Sequence, residues 1–388
     1  MRVTMRFVYL DNNATTPIHE DVIASMNEAL ALYGNASSMH GSGRDASFRI
    51  EEARSAVADL IGAPRGSIVF TSGASEANNT VFNIFRDRID QGSKRNRMIT
   101  TTIEHPSIIE KVAYLRDRGY RIDLCPVDNT GRIRLDVLKG LLDEDVALVS
   151  VMFGNNEIGT IQPIGTIVEM AHEAGAHVHS DATQAIGKIE VSMEELGLDY
   201  LSLSAHKFYG PKGVGALAVA KGAPYIPYIH GGRQEAGRRA GTSNTVAIIG
   251  MGTAAKIAKR DREDEEKRLW RMREMLREGI LERIPNVVVN GNQEHCLPGT
   301  LDVSFPHAEG ESILLYLDLE GIQVSTGSAC ASGSLEPSYV LLSSGVDIEL
   351  AHGSIRFSFG RYNTEDDVTY VLEKLPPIIK RLREMSAI

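Results

Sequence analysis

The chain has little cysteine, no excess of positive charge and no motif of the common nucleotide-binding loops. Its 388 residues include only three cysteines, Cys125, Cys296 and Cys330, and no two of them form a CxxC pair. This spacing supports neither a disulfide framework nor a zinc site, and three scattered thiols cannot supply the four ligands of an iron–sulfur scaffold. The formal net charge of −10 argues against broad binding to nucleic acid or to anionic membranes.

Signals for export and for membrane insertion are missing as well. Residues 1–6 lack the apolar core of a signal peptide, and no apolar run approaches the roughly 18 residues that span a bilayer. Together with the few cysteines, these features favour a reducing cytoplasm. Met5 is a candidate for the biological start, because the strand-like run Phe7-Val8-Tyr9-Leu10 follows it directly.

Length and patterning predict two domains. A chain of 388 residues is too long for one small core. From about residue 45 to 260, strand-like and helix-like segments alternate, which is typical of an α/β domain with a mostly parallel central sheet. Near residue 260 the composition shifts: a long charged helix is predicted from Lys256 to Arg283, and the strands beyond it favour a smaller C-terminal α+β domain. We therefore expect a large domain over residues 14–260 and a small domain made of residues 1–13 and 261–388.

A lysine and an acid stand at the ends of two predicted strands. Lys207 ends the run Ser204-Ala205-His206-Lys207, and Asp181 follows Ala176-His177-Val178-His179-Ser180. A pyridoxal phosphate (PLP) enzyme needs this pair, since the amine forms a Schiff base and the carboxylate keeps the pyridinium nitrogen protonated. Alone, Lys207 reads as a solvated lysine and Asp181 as a helix N-cap.

Three other predicted strands also end in polar residues, and ligands of open α/β sheets bind beyond the carboxyl ends of the strands. Gly73-Ala74-Ser75-Glu76 opens a helix, so its backbone N–H groups suit a phosphate, although a plain helix start explains it too. His105 is placed to lie over a planar ring, or else is a capping or core histidine. Asn155 and Gln184 can hydrogen-bond a ring hydroxyl; each alone would be a surface amide.

Arg356 and Cys330 extend this set. Arg356 lies in the apolar strand Ser354-Ile355-Arg356-Phe357-Ser358, where its guanidinium needs an anion, either a substrate carboxylate or a structural partner. Cys330 lies among small residues in a segment, about 325–336, that favours a mobile loop and makes its thiol a candidate nucleophile. Cys125 is expected in the core, and Cys296 in a polar loop.

Taken together, these motifs resemble the NifS/IscS-type cysteine desulfurases, which are fold-type I PLP enzymes of aminotransferase class V. The resemblance runs from Tyr9 to about Arg361, and the short chain end at Ile388 is closer to the NifS branch. Its landmarks include Gly34-Asn35-Ala36-Ser37-Ser38-Met39-His40, Glu104-His105-Pro106, Asn155-Asn156-Glu157, Asp181-Ala182-Thr183-Gln184, Arg238-Arg239-Ala240-Gly241-Thr242-Ser243-Asn244 and Gly327-Ser328-Ala329-Cys330.

The resemblance implies roles for individual residues. Lys207 carries PLP, Asp181 pairs with the ring nitrogen, and His105 stacks on the ring and assists proton transfer. The remaining cofactor contacts are Ala74, Ser75, Asn155, Gln184, Ser204, Ala205 and His206, with Thr242 reaching the phosphate in the neighbouring subunit of a homodimer. Asn13, Asn155 and Arg356 receive the carboxylate of L-cysteine. Cys330 accepts sulfur as a persulfide and passes it to an iron–sulfur scaffold or another acceptor protein; no permanent metal is expected, with Cys330 at most a transient iron–sulfur ligand.

Other chemistry remains open at this stage. A selenocysteine lyase or an aminotransferase of the same class would share the PLP residues. The missing GxGxxG after the first strand argues against a dinucleotide oxidoreductase.

Overall fold

Short runs of branched and small apolar residues form the strands of this chain. The structure, a computed structural model, describes residues 6–326 and 336–386. The strands are β1 (Val8–Tyr9), β2 (Ile68–Thr71), β3 (Arg97–Thr101), β4 (Arg121–Cys125), β5 (Val146–Ser150), β6 (His177–Asp181), β7 (Tyr200–Ser204), β8 (Gly215–Val219), β9 (Val288–Asn290), β10 (Thr300–Ser304), β11 (Ile322–Gln323) and β12 (Ser354–Ser358).

Helices follow most of these strands. They are α1 (Glu20–Ala29), α2 (Gly41–Leu60), α3 (Ala74–Asp90), α4 (Pro106–Arg116), α5 (Leu135–Leu141), α6 (Ile164–Glu173), α7 (Met193–Leu196), α8 (Thr245–Arg283), α9 (Gly310–Leu319), α10 (Tyr339–Ser343), α11 (Ile348–His352) and α12 (Glu365–Ser386).

A seven-stranded sheet organises the first two thirds of the chain. Its strand order is β2-β8-β7-β6-β5-β3-β4. The pairs from β4 to β7 are parallel, and β8 runs antiparallel to both of its neighbours, β7 and β2. All strands except β8 therefore end at the same edge of the sheet, which confirms the expected α/β class with a mostly parallel sheet.

Local sequence explains where the helices near that edge begin. Pro106 occupies the first turn of α4, where its missing N–H costs nothing, and the His105 ring caps the same helix. Gly73 precedes α3 and offers no side-chain cap. Gly62 has a φ of +54° directly after α2, the left-handed conformation that glycine adopts at helix ends.

The long helix α8 joins two large groups of buried apolar side chains, one along its first half and one along its second half. One group comes from the large sheet and its helices and extends from Val22 to Ala258. The other joins Val8 and Leu10 to residues between Leu269 and Leu382, around a three-stranded antiparallel sheet of order β12-β10-β9. α8 contributes Ala247 to Ala258 to the first group and Leu269 to Ile280 to the second.

Two cysteines are buried in the described chain. Cys125 at the end of β4 has no exposed surface, as predicted for a core residue. Cys296 was expected in a polar loop; its backbone pairs with that of Thr160, and only 2% of the residue is exposed. Burial raises the pKa of both thiols, that of Cys125 to about 12, so neither is a nucleophile near neutral pH.

Candidate active site

A cavity of about 510 Å³ opens at the carboxyl edge of the large sheet. This volume is within the range of ordinary small-molecule sites. Most of the predicted site residues line it: Asn13, Ala74, Ser75, His105, Asp181, Gln184, Ser204, His206, Lys207 and Arg356. Residues from the two ends of the chain and from five strand ends thus meet in one space, as the sequence predicted.

Lys207 reaches the cavity from a short 3₁₀ turn, Ala205–Lys207, that directly follows β7. Its Nζ donates to the backbone carbonyl of Ala14 at 2.8 Å and to that of Asn13. Both acceptors are backbone carbonyls, and these contacts hold the amine at the cavity.

Asp181 ends β6 and is 5% exposed. Its Oδ2 accepts a hydrogen bond from Asn78 Nδ2 at 2.7 Å, and its Oδ1 accepts from the Thr183 backbone N–H at 3.0 Å. Neutral donors therefore orient the carboxylate, which suits a partner such as a pyridinium N–H in the cavity.

His105 presents its ring to the cavity at the start of α4. Its Nδ1 accepts the Ser107 backbone N–H at 3.1 Å. Because a backbone N–H can only donate, the neutral ring carries its proton on Nε2. Burial lowers the pKa of His105, the nearby Asp181 carboxylate opposes this, and Lys207 adds to it. A neutral ring is thus favoured at the place where a planar cofactor would stack.

The first turn of α3 forms an anion-binding corner. The backbone N–H groups of Ala74 and Ser75 have no side-chain cap, because the preceding residue is glycine. Gly215 in β8 makes this corner possible, since a Cβ there would lie 2.7 Å from Gly73 Cα. Ser204 and His206 complete the corner, and burial, followed by Lys207, lowers the pKa of His206 to about 4.

Arg356 and Asn13 close the opposite side. Only 2% of Arg356 is exposed; it donates to Asp11 Oδ1 at 2.8 Å and to the Asn156 carbonyl at 3.0 Å. The structural ion pair that the sequence left open is therefore present. Its Nε has no hydrogen-bond partner in the described chain, and the side chain still borders the cavity. Asn13 donates from Nδ2 to Thr300 Oγ1 at 2.9 Å.

Three predicted site residues do not line this cavity, and a fourth belongs to the part of the chain that the structure does not describe. Asn155 is fully buried behind the wall, where its Oδ1 accepts the N–H groups of Glu157 and Ile158. Ala205 is buried in the core. Thr242 is exposed and borders a separate hollow that shares Ser72 and Gly213 with the main cavity. Cys330 lies outside the described residues.

Sequence reasoning missed several buried polar residues around the site. Asn78 holds Asp181, and Lys188 donates to Asn13 Oδ1 and Gln184 Oε1. Glu104 is fully buried and accepts the Met152 N–H, and burial raises its pKa to about 8. A polar residue inside a helix or beside a known motif gives no local sign that it is buried. The only available signal was the short distance of Lys188 and Glu104 from predicted site residues in the sequence.

Both sides of the segment with Cys330 are fixed near the cavity. The backbone of Ser325 pairs with that of Arg356. On the other side Tyr339 donates to the Glu104 carbonyl, and Ser338 donates to Glu157 Oε2. The described residues on both sides of this segment thus bond to Arg356, which lines the cavity, and to Glu104, which precedes the cavity residue His105.

The fold and the cavity define a fold-type I enzyme, and comparison with known proteins identifies the family. Residues 8–371 match the family described as Aminotransferase class-V, and the chain belongs to that family.

Its relatives include "Cysteine desulfurase IscS" of Dictyoglomus turgidum, which is 47% identical over 98% of this chain and 96% of the relative. "Cysteine desulfurase NifS" of Azotobacter vinelandii is 41% identical over 98% of this chain and 95% of the relative. A solved structure titled "NIFS-LIKE PROTEIN" has a TM-score of 0.89 and 38% identity, and covers 98% of this chain and all of the other. The resemblance drawn from the motifs is confirmed.

Proposed function

We propose that this chain is a PLP-dependent cysteine desulfurase that converts L-cysteine to L-alanine and takes the sulfur on Cys330 as a persulfide. The observation that carries the proposal is the cavity itself. It joins an amine, a buried carboxylate, an uncapped helix start and a guanidinium in one space of about 510 Å³. The names of the relatives supply the substrate.

The residues that line the cavity fit the phosphate, the ring nitrogen and the ring hydroxyl of PLP. The helix start at Ala74 and Ser75, with Ser204 and His206, would hold the phosphate. Asp181 would pair with the ring nitrogen, and Gln184 would face the ring hydroxyl. When bound, PLP supplies an electron sink for the carbanion formed at the substrate Cα. Asn155 supports this site from behind, since both ends of its amide bond to the surrounding backbone.

Lys207 and His105 would move the protons. Lys207 would bind the PLP aldehyde in the absence of substrate and would take the proton from the substrate Cα. His105, with its proton on Nε2, can exchange a proton at the substrate sulfur or Cβ. Arg356 and Asn13, which both line the cavity, would orient the substrate carboxylate.

Sulfur transfer would use Cys330. Its thiolate attacks the substrate sulfur, an S–S bond forms as the Cβ–S bond breaks, and protonation of Cβ gives alanine. Each turnover thus consumes L-cysteine and one thiol, and gives L-alanine and one persulfide. The anchored flanks support this role: Cys330 is four residues from Thr326, a span of at most about 14 Å in an extended chain.

The persulfide would then serve an iron–sulfur scaffold or another sulfur acceptor in the cytoplasm. Among residues 6–326 and 336–386, no helix has the length and apolar character needed to cross a membrane. In the same ranges, no group of three or more histidine, cysteine or acidic side chains is arranged to hold a metal ion.

A homodimer would complete the site, with Thr242 reaching the partner's phosphate corner. Large apolar side chains that are mostly exposed from the end of α1 to the first half of α2 support an interface there: Leu30, Tyr33, Met39 and Phe48. We also propose a domain division at residue 260, supported by the two groups of buried side chains that α8 connects.

Cys330→Ser tests the function directly. The variant is expected to bind PLP and cysteine with the wild-type absorbance changes and to form no alanine, because the sulfur has no acceptor. Cys296→Ser, which removes a buried thiol, is the matched control and should form alanine at the wild-type rate. Normal alanine formation by Cys330→Ser would refute the role of Cys330.

A further inference from the structure

A buried lysine, Lys188, lies behind the cavity wall and has no part in the reaction described above. It follows β6 in the turn that carries Gln184, and only 9% of it is exposed. Its Nζ donates to Gln184 Oε1 and to Asn13 Oδ1, both at 2.7 Å. In the described part of the chain no carboxylate lies within ion-pair distance of this Nζ, so the two amide oxygens are its partners. Burying a lysine without an acid is costly, and such a residue calls for a reason.

The contacts of Lys188 decide how two amide groups are oriented. The two ends of a carboxamide have nearly the same shape, so their partners determine which end is oxygen. Lysine Nζ must donate to an amide oxygen, and it therefore selects the oxygen end of both Gln184 and Asn13. Gln184 is left with its NH₂ group on the other side, where Nε2 donates to the Asn13 carbonyl at 2.9 Å.

We propose that Lys188 is a positioning residue that fixes the Gln184 amide with its NH₂ group toward the cavity and ties it to Asn13. The ring oxygen of the cofactor then meets a donor at position 184, never an acceptor, and the oxygen is held in its anionic form. This inference rests on the proposed function, because the ring oxygen belongs to PLP. Burial, then the charges of Lys207 and Arg356, lower the pKa of Lys188 well below its usual range. The two amide oxygens that accept from Nζ favour the charged amine, which can only donate.

The geometry of Asn13 links the same lysine to the substrate end of the cavity. Asn13 Nδ2 donates to the Asn156 carbonyl at 3.1 Å, and Arg356 Nη1 donates to that carbonyl at 3.0 Å. A change at Lys188 therefore reaches the proposed carboxylate site through one amide and one shared acceptor. Substrate binding should be affected along with cofactor binding.

Lys188→Met tests the proposal by removing the donor and keeping the length of the side chain. The dissociation constant for PLP, measured with apoenzyme, is expected to rise about tenfold, the effect of one lost hydrogen bond of about 1.4 kcal/mol. At a fixed pH, a larger share of the bound cofactor should absorb as the form with a neutral hydroxyl. The KM for cysteine should rise more than kcat falls. Lys188→Gln restores a neutral donor and should recover most of the absorbance, while Lys221→Met at an exposed position should change none of these quantities.

A purely structural role makes a different prediction. A variant Lys188→Met with a lower melting temperature but wild-type PLP affinity and absorbance would overturn the proposal. If Lys188→Met does not fold, Lys188→Met/Gln184→Met is compared with Gln184→Met. Equal PLP affinity and equal absorbance in these two proteins would support action of Lys188 through Gln184. Weaker PLP binding by the double variant than by Gln184→Met would contradict it. A wild-type protein that binds no PLP at all would instead refute the proposed function.

Discussion

At the scale of single residues, side chains near strand ends and a partner from inside a helix form the site together. Asp181 ends β6, and Lys207 and His105 come within four residues of the ends of β7 and β3. All three line the cavity, and their places near strand ends made them predictable. Asn78 was not predictable, because it lies within α3 and its partner Asp181 is 103 residues away. Contacts of that separation depend on how the sheet is assembled, and no local pattern carries them.

Asn78→Ala should weaken catalysis without altering the fold. Asn78 donates to the Asp181 carboxylate at 2.7 Å, and a hydrogen bond to a charged group is worth about 1.5–3 kcal/mol. We expect kcat/KM for cysteine to fall about ten- to hundredfold, as measured by steady-state alanine formation. The neighbouring Asn79 donates only to the backbone carbonyls of Ser75 and Ser107, so Asn79→Ala is the control and should stay within about threefold of wild type. Equal losses in both variants would contradict a specific role of Asn78.

Whole elements were predicted better than their direction and length. Strand-like segments were recognised along the large domain, but no strand was predicted at β8. Its antiparallel direction was not foreseen either, because a strand buried on both faces looks the same in either direction. The long helix was expected to begin at Lys256 and in fact begins at Thr245. Its first turns are small and apolar and pack against α2, so they lack the polar face by which a helix is recognised.

The buried carboxyl group of Glu157 is expected to make the stability of the folded chain depend on pH. Glu157 is 3% exposed, and burial raises its pKa to about 7 although Ser338 donates to it. The folded state therefore holds this proton more tightly than the unfolded state, whose carboxyl titrates near 4.5. The stabilisation is fully present below about pH 4.5 and is lost as the pH rises through about 7.

Glu157→Gln cannot ionise, so it should gain stability relative to wild type over that window. The difference in melting temperature between the two holoenzymes should shift in favour of the variant between pH 5 and 8 and stay constant above it. Glu169→Gln, at an exposed position on α6, should show no such trend. A pH-independent difference for Glu157→Gln would show that Glu157 does not titrate in this range.

At the scale of the whole molecule, composition and length indicated an enzyme with two domains. No sequence pattern showed which part of its surface forms an interface between chains. Tyr33 is 88% exposed and Met39 is 89% exposed. Monomeric proteins rarely expose large apolar side chains together to this extent. The segment that carries them was recognised as a motif, while its exposure became visible only in the folded chain.

Sedimentation velocity should therefore give a mass of twice 42.4 kDa for the wild-type protein. Met39→Glu should shift the equilibrium toward single chains, because it places a charge in an apolar interface. Leu319→Glu, on the exposed face of α9, is the control and should leave the dimer intact. A single-chain mass for the wild type, or dissociation by both variants alike, would contradict an interface at residues 30–48.

The central claim, that Lys207 is the amine that carries PLP, is tested most directly by borohydride reduction of the PLP-loaded protein followed by peptide mass spectrometry. Lys188 and Lys212 also lie at or behind the cavity and serve as internal comparisons. We predict one reduced adduct, on Lys207, and its loss in Lys207→Ala. No adduct in the wild type, or an adduct on Lys188 or Lys212 in place of Lys207, would contradict the account.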